Sequence, residues 1–452
     1  MFAPAERLIE AVVPARLGRN FRWLLASSLV NNAGDGVVLA AGPLLVASLT
    51  RDPFLVSMAL FMEYFPVLVF ALIGGVAADR FDRLRMVVLA NLGRAAVLAV
   101  LTATILTGAV HIWIVLAALF VLGAAETFAD SASSTLIPNL VARRDLGIAN
   151  ARMQGAFLLV NQLLLPPVGA FLFAVGPAIP FAVDAICFVF GAVLIRRVVL
   201  GVREIRTAAK ASVRSEMADG IRWLLHHPPM RTLALTILMF NITYGAAWSV
   251  LVLYATGRLG MGEVGFGLLT TAMAVGGVIG ITSYGALERR FALADIMRVG
   301  LLIETFTHLS LALTTSPAWA LATLVVFGAH AFVWGTTSTV VRQRAVPDAM
   351  LGRVTGVYRL AIVLGMVIGT PIGGLLARQF GVTAPFWFGF IGSALLVTLL
   401  WRQFANIAHA GAIAPAADTA PVREAAPTPP GAAGERRAAP VLDVAEEPGP
   451  AR

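Results

Sequence analysis

Asp35, Glu63, Arg94, Glu126 and Asp130 are ionisable residues set inside long apolar stretches. A charge at hydrocarbon depth costs several kcal/mol, so such groups mark ion or substrate pathways by default. A carboxylate in that setting can take up and release a proton, and an arginine can hold a carboxylate in place. Asp35 lies in Asn31-Asn32-Ala33-Gly34-Asp35-Gly36, the most polar patch of any apolar stretch. The plainer alternative for Asp35 is a structural hydrogen bond to a neighbouring helix. Glu63 falls at a similar depth, with Pro66 one turn on and able to kink its helix. If Asp35 and Glu63 are close, they perturb each other and can share a proton. Glu126 and Asp130 are one turn apart, on one helix face. Arg94 matches Asp130 in depth, so Arg94–Asp130 is the expected intramembrane ion pair, with Glu126 as the other partner in reach.

Weaker candidates surround these. His330 reads either as a proton carrier or as a packed histidine. Glu304 and His308 are one turn apart and can satisfy each other, and Asp184 is a further lone acid. Asn161, Gln162, Asn241 and Tyr244 offer uncharged hydrogen bonds, either to a substrate or between helices. Trp248 and Trp334 either stack on an aromatic substrate or pack in the core. No zinc motif, nucleophile elbow or phosphate-binding loop is present, so no metal, cofactor or catalytic residue is expected. The single cysteine, Cys187, reads as a packing residue.

The elements that must carry these residues follow from composition. The chain has 452 residues, 58% hydrophobic and only 13% charged, with a mean hydropathy of +0.84. Soluble proteins carry about 25% charged residues, so a cytosolic enzyme and a disordered chain are both excluded. A spanning helix needs about 20 mostly apolar residues. Twelve stretches meet this, near 21–48, 54–78, 85–107, 112–137, 148–174, 177–200, 231–256, 264–288, 294–315, 317–341, 352–377 and 383–405. Segment 1–20 is then a cytoplasmic N-terminal segment, 21–200 and 231–406 are two six-helix halves, and 201–230 links them. Within the linker, Val213, Met217, Ile221, Leu224 and Leu225 recur at helical spacing, predicting an amphipathic helix on the cytoplasmic surface. Residues 407–452 form an Ala/Pro-rich cytoplasmic tail expected to be disordered.

The net charge of +9 would raise nucleic-acid binding in a soluble protein. Its distribution instead reads as topology. Alternate loops carry Arg80, Arg83 and Arg85, then Arg143 and Arg144, Arg289 and Arg290, and Arg342 and Arg344. The opposite loops carry only Arg51, Arg258 and Arg378. By the positive-inside rule both termini are cytoplasmic, and no nucleic-acid partner is implied. The halves also resemble each other: Gly75 to Phe81 reads GVAADRF and Gly285 to Phe291 reads GALERRF, each between the second and third helices of its half. Repeated halves imply a pseudo-symmetric transporter with a central site.

The segment Gly75-Val76-Ala77-Ala78-Asp79-Arg80-Phe81-Asp82-Arg83 resembles the loop signature of the major facilitator superfamily. Asp82 stands where that signature has a second Gly. The D-R-F-D-R form, together with Leu146-Gly147-Ile148-Ala149-Asn150-Ala151 and Val346-Pro347-Asp348, is similar to the drug-antiporter branch that includes macrolide and siderophore exporters. The resemblance implies an all-α membrane fold of twelve helices and a gating role for Gly75, Asp79, Arg80 and Arg83. Gly75 would allow close helix approach, and Asp79 would face the N-terminus of the eleventh helix. The resemblance further implies that helix 1 lines a central cavity while helices 6 and 9 are peripheral. Pro166-Pro167 in helix 5 and Pro371 in helix 11 resemble degraded antiporter motifs.

The expected function is therefore secondary active transport: proton-coupled efflux of amphipathic small molecules from a monomer in the inner membrane, with Asp35 as the coupling site. A siderophore or lysophospholipid transporter, an importer, and a membrane-embedded enzyme or receptor remain the alternatives.

Overall fold

The computed structural model describes residues 15–199 and 213–408; the linker segment before 213 and the tail beyond 408 lie outside them. The described chain is helical, with no strand. We number the helices α1 (Gly18–Leu49), α2 (Pro53–Arg80), α3 (Arg83–Leu106), α4 (Ile112–Ser133), α5 (Leu146–Val175), α6 (Ile179–Ile195), α7 (Val213–His226), α8 (Pro228–Trp248), α9 (Glu263–Arg290), α10 (Leu293–Leu313), α11 (Pro317–Ala345), α12 (Asp348–Phe380) and α13 (Ala384–Leu400). Among the described residues, nine helices are long and apolar enough to cross a membrane, with α5 counted from Arg143 to Val175. A tenth span arises if α8 and the following Leu251–Arg258 segment, bent by 42°, count together. Helices α6 and α13 are apolar but shorter.

Local chemistry sets the helix ends. Asp52 caps α2 by accepting from the Phe54 N–H at 3.0 Å, ahead of Pro53 at the first position. Asp82 accepts from the Arg85 N–H at 2.8 Å and caps α3, so the residue that departs from the loop signature has a local role. Helix α5 is composite, with a π-helical segment Phe157–Leu164 before Pro166 and Pro167. Those prolines offer no N–H to the preceding turn. The Leu163 carbonyl left over there lies 3.4 Å from the Thr271 hydroxyl of α9, which donates to it.

The same neighbours recur in two sets. In the first, α1 packs on α5 and α6, α2 on α4, and α3 on α6. In the second, α8 packs on α12 and α13, α9 on α11, and α10 on α13. The sets meet through α2 against α12 and α5 against α9. These meetings are tight at one end of the bundle. A Cβ at Gly374 of α12 would strike Ser57 and lie 2.9 Å from the Phe54 Cα of α2. Beside it Asp52 and Arg378 form an ion pair at 3.7 Å. At the other end Phe81 is exposed, and a cavity of about 550 Å³ opens, lined by residues of α1, α4 and α5 including Ser28, Asn32 and Asp130.

Helix α7 forms where the periodicity placed it, but its main contact is protein. Leu224 is buried with Val354, Val357 and Tyr358 of α12, and Asp219 pairs with Arg353 at 3.6 Å. Of the predicted apolar face, Ile221 and Leu225 stay exposed. Gly220 and Trp223, which the spacing did not select, turn inward with Met217. Leu224→Ala is expected to cost about 2 kcal/mol of that docking. Faster amide exchange confined to α7 would register the loss, and unchanged exchange would mean that Leu224 does not hold it.

Candidate functional site

Arg94 organises the middle of the first helix set. Its side chain is 8% exposed, and Nη2 donates to Asp35 at 2.8 Å and to Glu126 at 3.4 Å. Its guanidinium lies over the Phe188 ring of α6, 4.0 Å from the centroid. One arginine thus ties α1, α4 and α6 to α3. The fork geometry suits it to hold two carboxylates at once. This corrects the expected Arg94–Asp130 pair. Phe188 and Asp35 draw the guanidinium toward α1, and Asp130, one turn further along α4, is exposed and lines the open cavity instead.

The acids outnumber this base. Glu126 keeps 48% of its side chain exposed, and Asp35 keeps 27%. Glu63 on α2 is exposed too and lies within electrostatic reach of both Glu126 and Asp35. Asp184 on α6 is 2% exposed, and its Oδ1 has no hydrogen-bond partner. Its carboxylate abuts Gly34 of α1, where any Cβ would overlap it. The glycine before Asp35 is therefore what allows α6 to bring a further acid beside it. The family resemblance implies a peripheral α6, and Asp184 is a weaker candidate on that ground. A lone acid within an otherwise apolar helix was the signal available.

The polar candidates divide. Asn32 is turned onto its own helix, donating to the Ser28 carbonyl at 2.8 Å. The Oδ1 of Asn31 is buried without a partner and faces Gly191 of α6. Asn161 and Gln162 sit in the π segment and bond to each other at 2.6 Å, with Asn161 against Gly36. π segments often mark functional positions. Asn241 is spent on its own helix, donating to the Ile237 carbonyl at 2.7 Å. Tyr244 stacks on Trp248 at 4.2 Å and on Phe327 at 5.8 Å, building an aromatic wall on the second helix set. Tyr244 also lies within electrostatic reach of Glu63 on the first set. His330 is buried behind that wall, apart from the Arg94 group.

The loop signature is only partly visible. Arg80 is exposed, and Arg83 donates from Nε to the Ala78 carbonyl at 3.2 Å, closing the end of α2. The side chain of Asp79 lies outside the described residues. Gly75 is not a point of close approach, since a Cβ there meets nothing within 4 Å. Its neighbour Gly74 is, with Ser131 of α4 2.9 Å from where its Cβ would be. The helix rotates Gly74 toward α4 and Gly75 away.

Two like-paired helix sets around mid-helix charges are the arrangement of a major facilitator transporter. Within that superfamily, the chain belongs to the family of transmembrane secretion effectors, which matches residues 11–426. The chain is similar to the multidrug efflux pump Tap of Mycolicibacterium fortuitum, 27% identical over 384 residues that cover 80% of this chain and 90% of Tap. It is similar to the enterobactin exporter EntS of Shigella boydii serotype 4, 26% identical over 397 residues that cover 84% of this chain and 92% of EntS. Among solved structures, a bacterial homologue of the iron transporter ferroportin in its inward-facing state superposes with a TM-score of 0.68 at 18% identity, covering 86% of this chain and 98% of that one. The fold is that of a multi-pass membrane transporter.

Proposed function

We propose that the protein exports amphipathic small molecules in exchange for protons by alternating access, with Asp35 as the coupling residue. The observation that carries this is the Asp35–Arg94–Glu126 bridge, where one guanidinium at 2.8 and 3.4 Å serves two acids, with Glu63 and Asp184 in the same field. A single positive charge cannot balance four carboxylates. Solvent reaches the exposed Glu126 and Glu63, and a bound proton, or a cationic substrate, makes up part of the deficit. Exchange of one for the other is antiport. The aromatic wall of Tyr244 and Trp248 gives an apolar substrate a surface to stack on. The names of Tap and EntS favour export of drug-like or siderophore-like compounds.

In this reading the chain spans the inner membrane twelve times, as two halves of six, with α6, α13 and the bent α8 pair each counted as a span. Both termini are cytoplasmic, following the arginine-rich loops. The closed end carrying Asp52 and Arg378 is then the outer one, and the 550 Å³ cavity opens inward. The transporter acts as a monomer without cofactor, and Gly75, Asp79, Arg80 and Arg83 belong to the inner gate.

The test is ethidium or macrolide efflux from cells lacking their own pumps, with and without a proton ionophore. Wild-type efflux is expected to stop with ionophore. Asp35→Asn, at normal membrane level, is expected to lose at least about 100-fold in rate, equal to about 3 kcal/mol. Efflux by Asp35→Asn that matches wild type and still collapses with ionophore would move coupling to Glu63 or Glu126. Efflux indifferent to ionophore would end the proton reading.

A further inference from the structure

A second group of ionisable side chains lies in the other helix set, unused by the mechanism above. Glu304 and His308 stand one turn apart on α10, and His330 faces them from α11. Nδ1 of His308 is 3.7 Å from Glu304 Oε1, and Nε2 of His330 is 3.8 Å from Oε2. The side chains of Glu304 and His308 are 0% exposed and that of His330 is 1% exposed. Neither carboxylate oxygen has a hydrogen-bond partner, nor does Nε2 of either histidine.

A structural role explains this poorly. Packed polar groups in proteins are nearly always satisfied, because an unpaired buried group keeps its full desolvation penalty. Here the two carboxylate oxygens and Nε2 of His330 converge and stop short of hydrogen bonding, while Nε2 of His308 faces Gly389 without a partner. Nδ1 of His308 faces the Glu304 backbone carbonyl at 3.2 Å, which assigns its hydrogen there and leaves the lone pair on Nε2. The surroundings bring no counter-charge. Helix α13 contributes Gly389, where a Cβ would overlap the His308 ring, and the buried Ser393. Helix α11 adds the Phe327 and Trp334 rings beside His330, at 6.1 Å each. Helix α8 adds Phe240, Trp248, the Thr243 backbone within reach of the His308 ring, and the titratable Tyr244. No arginine acts on Glu304. With Glu304 ionised and both imidazoles neutral, the group is a bare buried anion. With one proton added it is neutral, whether the proton sits on the carboxyl or on an imidazole.

We propose that Glu304, His308 and His330 hold one proton in common and form a second protonation site, separate from the Arg94-balanced acids. It differs from the first in kind. The first site balances charge with an arginine, whereas this one has only the proton. A small rotation of the His330 ring closes a hydrogen bond between Glu304 and its Nε2, so the proton can pass between that carboxyl and that imidazole with no other reactant, while the Nδ1–H of His308 stands beside the carboxylate as a donor. The Tyr244–Trp248 stack borders the group, with Trp248 6.2 Å from the His308 ring, and Tyr244 lies within reach of both Glu304 and Glu63. Work on the wall by a stacked substrate would be felt directly by the proton behind it. This role in transport rests on the proton-coupled reading above; the proton site itself does not.

The experiment is infrared difference spectroscopy of the full-length protein in lipid, between alkaline and acid buffer. The expected result is a protonated-carboxyl band that is lost in Glu304→Gln, persists in Asp35→Asn and shifts in frequency in His330→Gln. Glu304→Gln keeps the shape of the side chain, and a melting curve checks that it folds. Titration of Glu304→Gln is expected to show one proton fewer taken up per protein. A spectrum and proton count unchanged in Glu304→Gln would overturn the proposal. A Glu304 band present in a protein whose efflux ignores ionophore would leave the proton site standing and remove the antiport reading instead.

Discussion

Replacing Arg94 with methionine is expected to cost the protein the lower part of about 3–5 kcal/mol, the usual result of stripping one partner from a buried ion pair. The lower part applies because Asp35 keeps 27% of its side chain exposed and Glu126 keeps 48%. The damage comes from what remains. Asp35, Glu126 and Asp184 would keep their acidic groups in a site with no cation, and the Phe188 ring would lose the guanidinium above it. Arg94→Lys is expected to recover only part, because an ammonium is one point of charge and cannot fork between two carboxylates. Adding Asp35→Asn to Arg94→Met is expected to restore stability by about 0.5–3 kcal/mol relative to the sum of the single effects. Thermal unfolding in detergent reads all four proteins. If Arg94→Met melts like wild type, the bridge is not holding α1, α3 and α4 together.

Gly374→Val is expected to leave the fold intact and stop transport. The added Cβ would strike Ser57 and crowd the Phe54 backbone across the α2–α12 meeting, beside the Asp52–Arg378 pair. Overpacking of this kind costs about 1–3 kcal/mol, but only in the state where this end is closed. A change of that size moves a two-state equilibrium by about 5- to 150-fold. The variant is expected to populate the state open at that end and to cycle slowly. Labelling of a cysteine placed at Ser57, compared with a control carrying only Cys187 in the middle of α6, gives the readout. Faster labelling with lost efflux supports the closed-end assignment. Unchanged labelling would show that the crowding is absorbed by a local shift.

Most of the helical frame was legible because hydrophobic length is a strong signal. Each predicted stretch coincides with a helix or a helix pair, even where α8 bends after Trp248 or α5 changes register. Asp35, Glu63 and Glu126 were legible as acids at depth, and the structure brings them into one field. What sequence could not give was direction around the helix axis. Depth matched Arg94 to Asp130, yet rotation and the Phe188 ring matched it to Asp35. The same blindness put Gly75 rather than Gly74 at the helix contact. Asp184 and His330 were legible as candidates but not their partners: those come from other helices, and spacing within one helix says nothing of them.

The π segment of α5 has a consequence for how this chain is compared with others. A π turn behaves as a residue inserted into an α-helix. Each residue advances an α-helix by about 100°, so the faces before Phe157 and after Leu164 are out of phase by roughly that angle. Extrapolating from the cavity-lining Asn150 and Gln154 into the Pro166 region with a single period would select the wrong face. A residue-by-residue accessibility scan along α5 would therefore show two regular stripes with a break between them. Alignments with transporters whose fifth helix is unbroken would need a one-residue gap at that break, where sequence alone gives no reason to place one.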